Sequence, residues 1–542
     1  MKALNKFIFM VLTFVAFSCS TSWANPLLTE KAEAEVIEKM HEIMTRPEFE
    51  GARWGMDFYA PATGETIFSY NADQYFMPAS SMKIFTAGTA IENLGVDYRF
   101  RTPVYRTGNI ENGVLNGDLI MVASGDLLIG GRLGEDGTLR LPLPDHTYDM
   151  ATGAKPVSDD PLGSMRMIAD QIAAYGIKRI EGSVRVDSSL FREEICDAGG
   201  TGAFLVSSMV INDNLIDIVI TPGDRVGAPA ELRVVPETSY LTVVNKVITV
   251  DAGAQGTIGA ANMGVNPFRF ANETINTNGT RSVELVGEIS INSTGAFRAF
   301  RILDPTRFAE IVLTDLLRER GIEVQSNTDV SVDFDALSHF YAPENLVAEL
   351  VSPPLDAQLK PMLKLSSNPH TAIWYYLIGA IAGGDHMNAN EKGLEMQQTL
   401  FERTDVVPHS MVDPANVIGS MEYAPESFTR FLTHVYRQPY FQRFKNTLPI
   451  LGVDGSLSGI SVESRAAGHV YAKTGGAMNM QRVGDVTTVR HRHALAGFME
   501  LPNGQVVIFS ILLDYTASVP NPNLGNQVVG EISNVIFAAL DP

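Results

Sequence analysis

The spacing of apolar and polar residues predicts alternating helices and strands over the first hundred positions. Apolar residues recur at helical intervals over 29–46, and Thr29 is placed to cap the start of that helix. Two strand-like runs follow, RWGMDFYA (53–60) and ETIFSY (65–70), joined by the turn-rich PATG. A second helix is predicted to follow, with its apolar side buried and with Gly95 as its terminator.

The pattern changes over 101–345, where short β-like runs are separated by Gly, Asp and Asn. Two helical segments interrupt these runs, at 165–175 and 305–320. The middle of the chain is therefore predicted to be rich in β-structure.

Helices return after residue 346, and a strand–turn–strand signal follows: ALAGFMEL (494–501), the turn PNG, and QVVIFSILLDY (505–515). A last amphipathic helix is predicted over 525–540. Because helix-flanked strands occur at both ends of the chain, the simplest architecture is an α+β domain split by a long β-rich insertion. We expect the divided domain to comprise 25–100 and 346–542, one inserted domain to comprise 101–213 with 300–345, and a second to comprise 214–299.

The N-terminal segment 1–24 has the features of a secretory signal peptide. A lysine-bearing start precedes a short apolar run, Phe7 to Phe17, and Ser22-Trp23-Ala24 supplies the small residues that a signal peptidase reads. We expect cleavage near Ala24 and export. Acylation of Cys19 is a less favoured alternative, because Phe17 fits a lipoprotein signal poorly.

Composition narrows the range of partners. The 542-residue chain has a net charge of −21, which argues against nucleic acid or anionic lipid as its main partner. Loss of the leader would leave Cys196 as the sole cysteine, so we expect no internal disulfide. The sequence contains no HExxH motif and no phosphate-binding loop of the GxxxxGK[ST] type, and we expect neither a metal nor a cofactor.

The first candidate for chemistry is PASSMK, in which Ser80 and Lys83 are three residues apart at a predicted helix start. Residues at this spacing share one face of a helix. The positive end of the helix dipole favours negative charge on the Ser80 oxygen and disfavours a protonated Lys83, which would make the amine a base. Taken alone, the pair favours a capping serine with a solvated lysine over a catalytic pair.

The second candidate is the S-x-N motif of PMLKLSSNPH, formed by Ser366 and Asn368 at the end of a helix-like segment. The same pattern occurs at Ser69–Asn71 and Ser290–Asn292, so the motif is weak by itself. Those two copies lie in strand-like runs, whereas Ser366 and Asn368 are placed where both side chains could turn into a cleft.

The third candidate is Lys473-Thr474-Gly475 in HVYAKTGGAM, which places an amine and a hydroxyl in a strand before the final hairpin. Gly475 and Gly476 would let a ligand approach the backbone, as a peptide does when it adds to a sheet edge. Lys473 or Thr474 could hold a carboxylate. The alternative is a surface hairpin with an ordinary lysine.

Together and in this order, S-x-x-K, S-x-N and K-T-G form the signature of penicillin-binding proteins and class A β-lactamases. The residues themselves supply a nucleophile, a nearby amine, a polar relay and an anion clamp. The chain resembles the class C low-molecular-mass penicillin-binding proteins, the D-alanyl-D-alanine carboxypeptidases and endopeptidases of peptidase family S13. Further segments carry this resemblance: NGDLIMVASGD (116–126), GIKRIEGSVRVDSSLF (176–191), MVINDN (209–214), DPTRFAEIVLTDLLRERGI (304–322), SPPLDAQLKPMLKLSSN (352–368) and LPILGVDGSL (448–457).

The resemblance implies a serine transpeptidase fold like that of penicillin-binding proteins and β-lactamases, with an antiparallel sheet flanked by helices. By position, Ser80 would attack the carbonyl of the penultimate D-Ala of a peptidoglycan stem peptide, and Lys83 would accept its proton. Ser366 would pass a proton to the leaving amine, and Asn368 would hold the substrate backbone.

The same resemblance implies that Lys473 and Thr474 bind the terminal carboxylate of the substrate and that Gly475 lies beside them in the substrate-binding site. The N–H groups of Ser80 and Gly476 would form an oxyanion hole. β-Lactams would acylate the enzyme and leave slowly. The resemblance, together with the predicted signal peptide, implies that the protein is periplasmic.

Several positions depart from the family pattern. Ser367 stands where relatives often have Asp, and Pro369-His370 is an unusual continuation. The segment 196–204 is shorter than the Trp/Pro-rich stretch of relatives, and VRHRHALAG (489–497) lengthens the link after K-T-G. Two alternatives stay open at this point: a cell-wall-binding protein with a decayed site, and an esterase of the related fold, in which Tyr-x-Asn usually replaces S-x-N.

Overall fold

The computed structural model of the chain describes residues 27–134, 136–149, 151, 153–197, 202–252, 267–325, 332–409, 421–483, 486–518 and 521–541. The predicted signal peptide at 1–24, with Cys19 and the cleavage site near Ala24, lies outside these residues. Within the described part of the chain, every helix is too short or too polar to cross a bilayer.

Most of the helices of the described residues lie after residue 300. They are α1 Glu30–Met44, α2 Lys83–Leu94, α3 Gly163–Ala174, α4 Pro305–Glu319, α5 Phe334–Leu337, α6 Leu355–Lys364, α7 Asn368–Leu377, α8 Ala389–Thr404, α9 Pro425–Tyr436, α10 Phe441–Lys445 and α11 Pro522–Leu540.

The strands fall into one large sheet and several small ones. They are β1 Arg53–Ala60, β2 Glu65–Tyr70, β3 Arg101–Arg106, β4 Ile110–Glu111, β5 Val114–Leu115, β6 Leu119–Val122, β7 Arg179–Ile180, β8 Val184–Asp187, β9 Glu194–Asp197, β10 Ala203–Val206, β11 Leu215–Thr221, β12 Glu231–Val235, β13 Leu241–Val250, β14 Arg269–Ile275, β15 Arg281–Ser290, β16 Ala296–Arg301, β17 Glu323–Val324, β18 Leu346–Val351, β19 Val470–Val483, β20 Val486–Glu500 and β21 Val506–Ala517.

The large sheet joins the two ends of the chain in the order β19-β20-β21-β1-β2, with every neighbouring pair antiparallel. The predicted strands 53–60 and 65–70 are confirmed, and 53–60 pairs with β21, placing Met56 opposite Ile511. The predicted fold class, an antiparallel sheet flanked by helices, is thereby confirmed.

Helices cover both faces of this sheet. On one face α1 and α11 pack against alternate residues of β1, β20 and β21, and Thr29 caps α1 by accepting a hydrogen bond from the N–H of Ala32 at 3.2 Å. On the other face α2 lies among α6, α7, α8 and α9. The helix α2 is buried along nearly its whole length and ends at Gly95, whose φ is 86°.

The segment between the two halves of the large sheet forms its own sheets and cores. The sheet β18-β3-β6-β8 and the helices α3 and α4 enclose one apolar core, and β11, β13 and β15 contribute to a smaller one. We propose that 101–213 with 300–345 and 214–299 are the two inserted domains, within a catalytic domain made of 25–100 and 346–542. The pairing of β18 with β3 associates residues 346–351 with the first of these inserted sheets.

His493 of β20 makes the large sheet sensitive to acid. His491, His493 and Tyr515 stack against one another, and His493 is 3% exposed. Burial lowers the pKa of His493 to about 4 from its usual 6.5. As the pH falls, His493 therefore takes up a proton in the unfolded chain before it does so in the folded protein. The stability that the neutral His493 contributes is complete above pH 6.5 and is lost as the pH falls toward 4.

We expect the free energy of unfolding to drop by about 3 kcal/mol across this interval because of His493. Calorimetric melting of the wild type and His493→Phe between pH 7.5 and 4.5 measures the difference. The exposed His339 provides the matched control, and His339→Gln should keep the wild-type slope. An equal slope in His493→Phe would contradict the assignment.

Candidate active site

Ser80 lies on a 3₁₀ turn, Ala79–Met82, that leads directly into α2. The predicted helix therefore exists, but its α-helical part begins at Lys83 and the serine precedes it. Ala79 has a φ of 48°, in the region that a residue with a side chain rarely adopts, so the turn before the serine is held in a strained shape. An aromatic cluster anchors the helix behind it, because Phe85 contacts Phe401, Tyr423, Phe428 and Phe431 with ring centroids 4.7–5.1 Å away.

The fully buried amine of Lys83 is the centre of the polar cluster. Its Nζ lies 2.8 Å from the Oγ of Ser80, which is the contact that the three-residue spacing predicts. The same nitrogen lies 2.6 Å from Asn368 Oδ1 and 3.1 Å from Ser366 Oγ. Ser81 points elsewhere, since its hydroxyl donates to the carbonyl of Pro78 at 2.9 Å.

The electrostatic surroundings of Lys83 favour a neutral amine. Burial, and secondarily the positive charge of Lys473, hold the pKa of Lys83 well below its usual 10.5. A neutral amine carries a lone pair, so this lysine is suited to accept a proton from Ser80.

Ser366 and Asn368 are brought to this amine by the junction of α6 and α7. Ser366 has a φ of 62°, and Asn368 is the first residue of α7. Ser367 caps that helix by accepting a hydrogen bond from the N–H of His370 at 3.5 Å. The side chain of Ser367 thus has a structural contact at the position where relatives often have Asp.

The K-T-G motif lies within β19, an uninterrupted strand at the edge of the large sheet. The buried Nζ of Lys473 donates to Ser366 Oγ at 3.0 Å, so that Ser366 Oγ lies between two amines. Burial lowers the pKa of Lys473 to about 7. The hydroxyl of Thr474 contacts that of Ser456 at 2.7 Å.

The two glycines after Thr474 differ in their surroundings. A Cβ on Gly475 would lie 2.1 Å from the carbonyl oxygen of Pro78, so only glycine lets β19 approach the turn that carries Ser80. Gly476 is exposed and has open space where a Cβ would be. The strand therefore presents an accessible backbone beside the serine.

Two residues in this cluster had no predicted role. Tyr148 donates its hydroxyl to the carbonyl of Ser366 at 2.7 Å, and no sequence pattern marked it. Ser456 supports Thr474 and lies in LPILGVDGSL, a segment that entered the sequence analysis only as a point of resemblance.

One group of metal-ligand type comes together among the described residues: Asp145, His146 and Asp213. Arg132 makes ion pairs with both of these carboxylates, and His146 Nε2 lies 2.6 Å from Asp213. The carboxylate oxygens therefore already have cationic partners within the protein.

Comparison with known proteins gives a consistent family assignment. The model of the D-Ala-D-Ala carboxypeptidase 3 (S13) family matches residues 36–534. A penicillin-sensitive carboxypeptidase A of Dictyostelium discoideum is 25% identical over 443 residues, covering 78% of this chain and 77% of that protein. A D-alanyl-D-alanine carboxypeptidase of Actinomadura sp. (strain R39) is 23% identical over 511 residues, covering 90% of this chain and 83% of that protein.

The fold agrees with this assignment. The crystal structure of penicillin binding protein 4 from Haemophilus influenzae superposes with a TM-score of 0.60 at 18% identity, covering 92% of this chain and 98% of that one. The same protein has been solved in complex with a β-lactam. The family match spans nearly the whole chain and confirms the resemblance seen in the sequence: the chain belongs to the D-Ala-D-Ala carboxypeptidase 3 (S13) family of peptidases.

Proposed function

We propose that this protein is a serine-type D-alanyl-D-alanine carboxypeptidase that cleaves peptidoglycan stem peptides through an acyl-Ser80 intermediate. The observation that carries the proposal is the position of one buried amine: Lys83 Nζ lies within 3.1 Å of Ser80 Oγ, Ser366 Oγ and Asn368 Oδ1. A nucleophile and a proton relay that both contact one base are what acyl transfer requires.

In the acylation step, Ser80 Oγ attacks the carbonyl carbon of the penultimate D-Ala, and its proton passes to Lys83. The N–H groups of Ser80 and Gly476 donate to the oxygen of the tetrahedral intermediate. Collapse of this intermediate breaks the peptide bond, and the proton reaches the amine of the departing D-Ala through Ser366 Oγ. Water then hydrolyses the ester and restores the Ser80 hydroxyl.

Substrate is held along β19. Because β19 is the edge strand of the described sheet, an extended peptide could pair with it as an added strand. Lys473 and Thr474 bind the terminal carboxylate, and Asn368 holds the substrate backbone. Binding of that anion raises the pKa of Lys473 above about 7 and keeps its amine charged.

The same chemistry extends to two further reactions. Cleavage of a D-Ala–diamino acid cross-link requires only a different group on the leaving side, so we include DD-endopeptidase activity in the proposal. Penicillin offers Ser80 a strained amide and should acylate it covalently. We also propose export to the periplasm by the leader at 1–24, where peptidoglycan lies.

Mass spectrometry of defined substrates tests the proposal. Incubation with a stem pentapeptide ending in D-Ala-D-Ala should release one D-Ala, whereas the same peptide ending in D-Ala-L-Ala should stay intact. A cross-linked dimer should yield monomers if the endopeptidase activity is present. Benzylpenicillin should add its full mass to the protein, on the peptide containing Ser80. Failure of both D-Ala release and penicillin addition would overturn the proposed function.

A further inference from the structure

Tyr148, in the inserted segment, reaches the active site. Tyr148 donates to the main-chain carbonyl of Ser366 at 2.7 Å, and the same carbonyl lies 2.8 Å from Lys83 Nζ. Burial raises the pKa of the Tyr148 phenol above its usual value, so the hydroxyl remains a donor at neutral pH. The tyrosine therefore fixes the backbone oxygen beside the proposed base without contacting the nucleophile.

The backbone of Ser366 needs such support. Its φ of 62° is in the left-handed region, which is unfavourable for a residue with a side chain and persists only where neighbouring groups enforce it. This conformation sets the direction of the Oγ that lies 3.1 Å from Lys83 Nζ and 3.0 Å from Lys473 Nζ. A small rotation about the backbone would move the proposed proton relay away from both amines.

Tyr148 is itself carried by a segment with buried polar anchors. Asp145 accepts hydrogen bonds from the N–H of Thr147 at 3.0 Å and from its hydroxyl at 2.5 Å. The other carboxylate oxygen of Asp145 pairs with Arg132 at 2.7 Å, and these three side chains are at most 3% exposed. The turn leading to Tyr148 is thus held from inside the protein.

The adjacent His146 lies between two carboxylates, at 2.6 Å from Asp213 and 3.0 Å from Asp217. Although burial acts to lower it, these carboxylates raise the pKa of His146 to about 10, so the ring is a cation with both N–H groups donating. Burial likewise opposes ionisation of Asp213, but Arg132 and neighbouring histidines hold its pKa well below 3.8. These are charge-assisted contacts between groups that water does not reach.

The same Asp213 also binds the helix that follows the S-x-N motif. Its second oxygen lies 2.8 Å from Nε2 of His370, and a carboxylate can only accept, so that nitrogen carries the proton. His370 is on the first turn of α7, two residues after Asn368. The insertion therefore holds the second motif at two points, the carbonyl of Ser366 and the ring of His370.

We propose that Tyr148 is a positioning residue for acyl transfer: it fixes Ser366, and the buried cluster of Arg132, Asp145, His146 and Asp213 holds Tyr148 and α7 in register. This inference rests on the proposed function. It assigns to the insertion a part in catalysis that the three sequence motifs do not contain. Loss of the hydroxyl should weaken proton transfer through Ser366 and leave the carboxylate grip of Lys473 and Thr474 intact.

The test compares Tyr148→Phe with wild type for D-Ala release from the stem pentapeptide. We expect kcat to fall about tenfold, as for the loss of one well-aligned hydrogen bond, with KM within about twofold of wild type. The melting temperature should stay within about 2 °C, because the aromatic ring is kept and the carbonyl of Ser366 still accepts from Lys83 Nζ. Tyr175→Phe, at an exposed tyrosine in the same insertion, should match wild type in all three quantities.

A kcat for Tyr148→Phe within twofold of wild type would overturn the inference, and so would a rise in KM at constant kcat. If Tyr148→Phe lowers the melting temperature markedly, the inference is tested with Thr147→Val, which loosens the same turn and leaves the phenol in place. A lower kcat of Thr147→Val at constant KM would support the inference, and an unchanged kcat would overturn it. If the wild-type protein neither releases D-Ala nor binds penicillin, the proposed function itself is overturned.

Discussion

Replacing Ser80 with alanine is expected to abolish covalent penicillin labelling and to lower kcat/KM for D-Ala release by about 10⁴-fold or more. The reason is that Ser80 Oγ is the hydroxyl in contact with the buried Lys83 amine, at 2.8 Å, and alanine leaves no atom to form the ester. Fluorescent penicillin labelling followed by gel electrophoresis measures the first effect, and chromatographic detection of released D-Ala measures the second.

Ser81→Ala is the matched control for this experiment. Ser81 is adjacent in sequence and fully buried, but its hydroxyl donates to the carbonyl of Pro78 rather than to Lys83. The variant should therefore keep penicillin labelling. Equal labelling of Ser80→Ala and wild type, or loss of labelling only in Ser81→Ala, would contradict the assignment of the nucleophile.

The contact between Ser80 and Lys83 could be predicted from the sequence because it depends on local geometry alone. Residues three apart share a face in a 3₁₀ turn as well as in an α-helix, so the pair meets although the turn is 3₁₀ at the serine. The strands β1, β2 and β21 were likewise predictable, because their runs contain aromatic or β-branched residues and are bounded by turn residues, whereas β20 begins eight residues before the predicted run 494–501.

The convergence of the three motifs depends on features that no local pattern contains. Ser366 reaches Lys83 because its backbone is left-handed and because α6 and α7 meet at that point. Gly475 brings β19 to the turn before Ser80 because a side chain there would overlap the carbonyl of Pro78. The sequence suggested that these motifs belong together only through their order and through resemblance to a family.

The contacts of the buried charged residues were the part of the structure that was hardest to predict from the sequence. Asp213 and His370 are far in the sequence from each other and from Arg132 and Asp145, and charged residues are usually solvent-exposed. His370 was noted only as a departure from the family pattern, and Asp213 only within MVINDN. Their contacts form only because the insertion packs against α7.

Replacement of Lys83 is the second change that is expected to have a large effect on acyl transfer. Lys83 Nζ lies within 3.1 Å of Ser80 Oγ, of Asn368 Oδ1 and of both the carbonyl and the hydroxyl oxygens of Ser366. In the neutral form of this amine, the lone pair can accept the proton of the Ser80 hydroxyl 2.8 Å away. Burial and Lys473 favour this neutral form by lowering the pKa of Lys83. The acylation rate should therefore rise with pH through a pKa well below 10.5 and then level off.

Lys83→Met keeps a long unbranched side chain in the buried site and removes the base. We expect the rate constant for penicillin acylation to fall by about 10³-fold, within the range for loss of a general base, and its dependence on pH to flatten. Stopped-flow measurement with a fluorescent penicillin from pH 5 to 9 reports both quantities. Lys445→Met is the matched control, because Lys445 is also buried but pairs with Glu500 away from Ser80. This control should lose stability while keeping the acylation rate. If Lys83→Met retained a tenth of that rate with the wild-type pH profile, another group would have to be the base.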